Sequence, residues 1–86
     1  MIRYVRWSEF IADCRLQFND QWQWKIDKLS AIPLNMEFTG EDLRGRRNTT
    51  ANALLDFGVK HGVLEVVRVE GVKAGFRRRV FVRRLK

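Results

Sequence analysis

Two runs near the C-terminus constrain the fold more than anything else in the chain. Val63–Glu70 reads VLEVVRVE and Phe76–Leu85 reads FRRRVFVRRL. Val63–Glu70 is β-branched and alternating, the pattern of a strand, and Phe76–Leu85 is read as the strand that returns beside it. Between them lies Gly71-Val72-Lys73-Ala74-Gly75, with a glycine at each end. Two such runs about a short glycine-bounded loop form a β-hairpin. A lone hairpin is marginal in water and needs a packed neighbour, so the residues before it must supply a helical layer.

They do so in pieces. Ser8 is a candidate N-cap, and Ile11, Cys14, Phe18, Trp22, Ile26 and Leu29 then recur at spacings of three and four. That stripe predicts one amphipathic helix to about Ala31, roughly 36 Å long at the standard rise. Asn19-Asp20 offers a competing break, with a second helix starting near Gln21. Pro33 closes the segment in either case, because the residue before proline avoids helical geometry. Leu34–Phe38 (LNMEF) alternates and predicts a short strand able to pair with the edge of the hairpin. Thr39 and Asp42 are spaced as a capping box, so a short helix is expected from Gly40. Arg44-Gly45-Arg46-Arg47-Asn48 is a basic turn. Asn48 or Thr49 then caps a helix over Thr50–Lys60, with His61 as a cation in its last turn and Gly62 just beyond its end. Ala51, Leu54, Leu55, Gly58 and Val59 share the inward face of that helix. Thr49, Asn52, Ala53, Asp56 and Lys60 share the outward one.

Eighty-six residues make one small domain, residues 1–86, in which 1–7 is an arm or a short strand. If it is an arm, Arg3 and Arg6 can reach phosphate. A domain of this size buries only about 60–65% of its unfolded surface. One cysteine and one histidine allow neither an internal disulfide nor a Cys/His metal site, which leaves oligomerisation as the route to further burial. Phe10, Leu16 and Trp24 lie off the helical stripe. Phe10 and Trp24 on one flank are either a homodimer face or are covered by the hairpin or arm within one chain. Cys14, on the stripe, is expected to be an inert buried thiol.

Charge is divided unequally. Residues 1–43 carry five basic and seven acidic groups, a net −2, while residues 44–86 carry twelve basic and three acidic groups, a net +9. So basic a half-chain attracts polyanions, most often nucleic acid; the bland alternative is a solvated basic surface. No apolar run approaches the roughly 20 residues of a membrane span, and the first ten residues lack the apolar core of a signal peptide, so an intracellular protein is expected, without membrane contact. Catalysis is not expected. His61 is alone, no carboxylate pair occupies an apolar setting, and Gly40–Gly45 (GEDLRG) lacks the Gly-Lys-Ser/Thr ending of a phosphate loop. No cofactor or metal is implied.

The order helix, short strand, helix, basic turn, helix, strand, loop, strand, with the run HGVLEVV at the end of the last helix, resembles the winged helix-turn-helix superfamily of bacterial and archaeal regulators. The resemblance covers about residues 8–85 and implies an α+β fold: a long N-terminal helix, a short helix, a turn, a recognition helix and a β-hairpin wing. It implies double-stranded DNA as partner, with helix 49–61 in the major groove and wing 70–78 on the adjacent backbone. Arg44, Arg46, Arg47, Asn48, Thr49, Thr50, Asn52 and Ala53 would then face DNA, joined by Lys73, Arg77 and Arg78 of the wing. Arginine reads guanine and asparagine reads adenine, while hydroxyls and a helix N-terminus suit phosphate. Asp56 falls on that face, either reading cytosine, orienting an arginine or lying just beyond the contact zone, the last being expected. Arg79, Arg83 and Arg84 are expected on a different hairpin face from Arg77 and Arg78, some of them paired with Glu65, Glu70 or acids of the first helix. The role implied is a dimeric, cytoplasmic, nucleoid-associated transcriptional regulator. The alternative is an adaptor subunit that uses the same fold to bind protein in a replication, transcription or repair complex. Fold alone does not choose between them.

Overall fold

The computed structural model describes residues 4–43, 51–71, 75 and 77–86. Its architecture is α+β, with three α-helices and a three-stranded antiparallel sheet among the described residues. Helix α1 spans Trp7–Gln17, α2 Gln23–Ser30 and α3 Asn52–Lys60; strand β1 spans Glu37–Thr39, β2 Leu64–Gly71 and β3 Arg77–Arg83. In the sheet β3 is central, with β1 on one side and β2 on the other.

The predicted long helix is two. Phe18 adopts extended backbone (φ −109°, ψ 146°), and the Asn19 side chain accepts a hydrogen bond from the Gln21 amide at 3.1 Å. A 3-10 turn over Asp20–Trp22 then leads into α2. Asparagine and aspartate compete with the helix for backbone partners, and here they win at the Asn19-Asp20 break. Gln23 seals it, donating through Nε2 to the carbonyls of Arg15 and Phe18 at 3.4 Å.

The start of α1 also differs from expectation. It begins at Trp7 rather than after Ser8, and the Glu9 carboxylate accepts from the amides of Val5 (3.1 Å) and Arg6 (2.8 Å), satisfying donors at the helix start. This brings Trp7, Phe10, Ile11 and Cys14, spaced three, four and seven apart, onto the buried face. Phe10 is therefore no surface residue. It is 0% exposed, with its ring stacked on Phe57 and edge-on to Tyr4. The reading of Phe10 as part of a dimer face fails on that burial.

After α2 the backbone turns at Asn35, whose φ of 63° lies in the left-handed region that asparagine tolerates. β1 is shorter than the predicted Leu34–Phe38, but it pairs with the hairpin as expected, with Phe38 opposite Phe81. The segment from Gly40 is a 3-10 turn, Gly40–Leu43, and not an α-helix; the Asp42 carboxylate accepts from the Thr39 amide at 2.8 Å, half of the capping box. Helix α3 starts at Asn52 rather than Thr50, with Ala51 at its N-cap; the expected caps Asn48 and Thr49 lie outside the described residues.

The end of α3 is as the sequence implies. Gly62 has φ 77°, its amide bonds the Val59 carbonyl at 3.1 Å, and the Val63 amide bonds the Gly58 carbonyl at 3.0 Å. These paired closures form a Schellman motif, which needs a residue that accepts positive φ. His61 departs from its expected role. Its ring is buried edge-on to Phe57 and Tyr4, packed among aromatics and not held out in solvent at the helix end.

One core joins all the layers. Phe10, Cys14, Ile26, Leu29, Phe38, Leu43, Leu54, Leu55, Val63 and Phe81 are buried together. Val59, expected to point inward, is exposed. Gly58 is where α3 meets both β2 and α1: a β-carbon there would lie 2.5 Å from Leu64 Cδ1 and 3.4 Å from the Phe10 ring.

Candidate nucleic-acid interface

Residues Arg44, Arg46, Arg47, Asn48, Thr49, Thr50 and Lys73 lie outside the described residues. What the structure describes of the expected interface is the outward face of α3 and the two arms of the hairpin. Asn52, Ala53, Asp56 and Lys60 are all exposed, because the opposite face of α3 buries Leu54, Leu55 and Gly58.

Strand alternation sorts the arginines of β3. Phe81 faces the helical layer, stacked on Phe38. Counting back in twos, Arg83, Arg79 and Arg77 share that face, whereas Arg78, Val80, Val82 and Arg84 share the other. Arg77 and Arg78, grouped together from sequence, are thus on opposite sides of the sheet. The alternation was present in the sequence and carried this signal.

On the helical side Arg83 is a structural residue. Its guanidinium lies 4.5 Å from the centre of the Trp7 ring and donates to the carbonyls of Ile32 (2.8 Å) and Leu85 (2.7 Å). Burial pushes its pKa below the usual arginine value. Arg79 bridges Asp56 of α3 at 2.8 Å. Asp56 therefore orients an arginine, where a position just beyond the contact zone was expected. Arg77 is exposed and meets no carboxylate among the described residues.

The other side is a lattice of ion pairs laid over two valines. Val80 and Val82 are buried although they face away from the core. Glu37 of β1 and Arg68 of β2 join across β3 at 2.7 Å. Arg68 also meets Glu70 at 3.0 Å, and Arg78 meets Glu70 at 3.1 Å and Glu41 at 3.4 Å. Arg84 meets Glu65 at 2.6 Å. Hydrogen bonds from Arg68 and then Arg78 hold the Glu70 carboxyl below its ordinary pKa. Arg68 and Glu65 stand opposite Val80 and Val82 in the ladder, so charged residues border the two valines.

Much of the basic half is thus neutralised internally. Among its described residues, Arg68, Arg78, Arg79 and Arg84 meet carboxylates and Arg83 is turned inward. Among the described residues of that half, Lys60, Arg77 and Lys86 meet no carboxylate, and its other cations, Arg44, Arg46, Arg47 and Lys73, lie outside the described residues.

In the helical half Trp24 is 49% and Leu16 84% exposed, with Lys28 Nζ 5.2 Å from the Trp24 ring centre. Trp22 lies against the core, its ring 5.2 Å from Phe18. Cys14 is buried; desolvation, with a smaller push from Asp13 and opposed by Arg15, raises its thiol pKa to about 12. Among the described residues there is no group of metal-ligating side chains, and no helix is long and apolar enough to cross a membrane. No protein-family model, curated protein or solved structure matches the chain.

Proposed function

We propose that the chain is a winged helix-turn-helix module that binds double-stranded DNA, with the 44–60 segment in the major groove and the hairpin tip on the neighbouring backbone, acting as a transcriptional regulator. The observation that carries this reading is how the described cations divide between paired and unpaired. The pairs on the outer face of the sheet absorb Arg68, Arg78 and Arg84, while Arg77 is exposed on the face that α3 packs against. The remaining cations cluster in sequence immediately before α3 and at the hairpin tip. A helix bearing Asn52 and Ala53 on its solvent face, flanked by such charge, suits phosphate positioning with base readout from the helix start.

The test is duplex binding by fluorescence anisotropy, with sites selected from a random pool. Arg77→Ala and Arg47→Ala should each weaken binding, by about tenfold or more for a lost charged contact. Arg84→Ala, which removes an equal charge already matched by Glu65, should change it by no more than about twofold. Log affinity should fall by roughly 0.9 per log unit of salt for each phosphate contact. Equal losses for Arg77→Ala and Arg84→Ala would mean that net charge alone is sensed and would overturn the proposed site.

A second reading, an adaptor subunit acting through protein contacts, is favoured by the exposure of Trp24 and Leu16. Under it, Trp24→Glu abolishes partner binding and duplex affinity is weak from the outset.

A further inference from the structure

Of the two edges of the sheet, the longer belongs to β2. Among the described residues its one strand partner is β3, which leaves the far side of Leu64–Gly71 without a ladder. Edge strands are ordinarily blunted by charges, lysine above all, by proline, by bulges or by short length. β2 has eight residues, neither lysine nor proline, and two exposed β-branched side chains, Val67 (37%) and Val69 (52%). A bulge breaks its register: Val66 pairs with Phe81 and Arg68 with Val80, so Val67 is the additional residue.

That bulge selects the partner. An ordinary extended peptide laid along β2 would lose register at Val67, since a bulge sets two residues against one. A second copy of the chain carries the same bulge. Set antiparallel about a two-fold axis between Val66 and Val67, the two irregularities fall opposite each other. In that register Glu65 of each copy faces Arg68 of the other, and Leu64 faces Val69. The sides agree as well. The bulge places Glu65 and Arg68, three apart in sequence, on the same outer side of the sheet, opposite Val82 and Val80. Leu64 and Val69 are opposite Arg83 and Arg79, on the helical side. Directly opposed residues must share a side, and opposite charges there stabilise the pairing.

We propose that this chain self-associates through β2, forming a continuous six-stranded sheet across a two-fold axis with Glu65 opposite Arg68 of the second copy at both ends of the contact. The inference does not rest on the DNA-binding reading. Six residues of edge bury less than a standard interface, so association is weak and concentration-dependent.

Sedimentation equilibrium without nucleic acid, from about 5 to 200 µM at physiological salt, tests it, a range that spans micromolar association. The wild type should show a monomer–dimer equilibrium. Glu65→Arg and Arg68→Glu should each lower the association constant at least about tenfold, because each sets like charges opposite one another twice. Their equimolar mixture should recover the dimer, since one copy then presents arginine at both positions and the other glutamate at both, so that opposite charges meet again at each end. Circular dichroism reports whether each variant folds. Should either fail to fold, Val69→Lys at an exposed position provides the second arm and should also dissociate the dimer. A wild type that remains monomeric overturns the proposal. So does a mixture of folded variants that stays monomeric, a Val69→Lys dimer as tight as wild type, or a dimer abolished by Trp24→Glu and untouched by the β2 variants.

Discussion

Gly58 has no room for a methyl group. Its Cα faces Leu64, whose Cδ1 and Cγ would lie 2.5 and 2.8 Å from an added β-carbon, and Leu64 is itself buried. Alanine would raise helix propensity by about 1 kcal/mol, but overpacking a filled core costs about 1–3 kcal/mol. Gly58→Ala is expected to lower stability on balance in urea denaturation, and an unchanged or raised midpoint would show that Leu64 can yield. Cys14 makes a chemical prediction at the same scale. A thiol with a pKa near 12 carries almost no thiolate at neutral pH. The native protein should resist a thiol-reactive dye at pH 8 and take up one equivalent after unfolding. Rapid labelling of the folded chain would contradict the burial of α1 against the core.

Among elements, the joint between α3 and β2 is the most closely specified. Its Schellman closure depends on Gly62 at φ 77°. Gly62→Ala forces a β-carbon into left-handed backbone at a cost of about 1–2 kcal/mol, and a matching fall in thermal stability is the expected outcome. This joint, α3 and the hairpin are legible in the sequence because each rests on a local pattern: i, i+3, i+4 apolar spacing, a terminal glycine, and β-branched runs about a glycine-bounded loop. The division of the first helix is not. The stripe from Ile11 to Leu29 continues through Asn19 at helical spacing, and the balance turns on whether one asparagine side chain bonds the Gln21 amide, which periodicity does not register. Burial of Phe10 is legible after all, since it precedes Cys14 by four residues and Phe18 by eight, the spacing of the stripe itself. Burial of Trp7 is not, because it follows from a helix start at Trp7 with Glu9 accepting from the preceding amides. Of the candidate site, the total charge is legible, and so is the pairing of Arg84 with Glu65; the other pairs are not, because Arg68 finds Glu37, and Arg79 finds Asp56, only once the sheet and α3 have come together.

For the molecule as a whole, the outer face of the sheet ties stability to pH. The Glu70 carboxyl is held below its ordinary value of 4.5 by Arg68 and then Arg78. A depressed carboxyl pKa contributes stability that is fully present above the unfolded value and disappears as pH falls through the folded one. The thermal midpoint should therefore decline below about pH 4.5, and Glu70→Gln should show a shallower decline than wild type. Parallel declines would assign the effect to other carboxylates. The coupling of α3 to β2 has a different consequence. With Leu64 wedged against Gly58 and the backbone locked at Gly62, helix and hairpin arm move as one lever. A ligand that grips the start of α3 already holds the hairpin at a fixed distance from itself. The second contact then forms at high effective concentration, as in a chelate, so that two weak grips multiply.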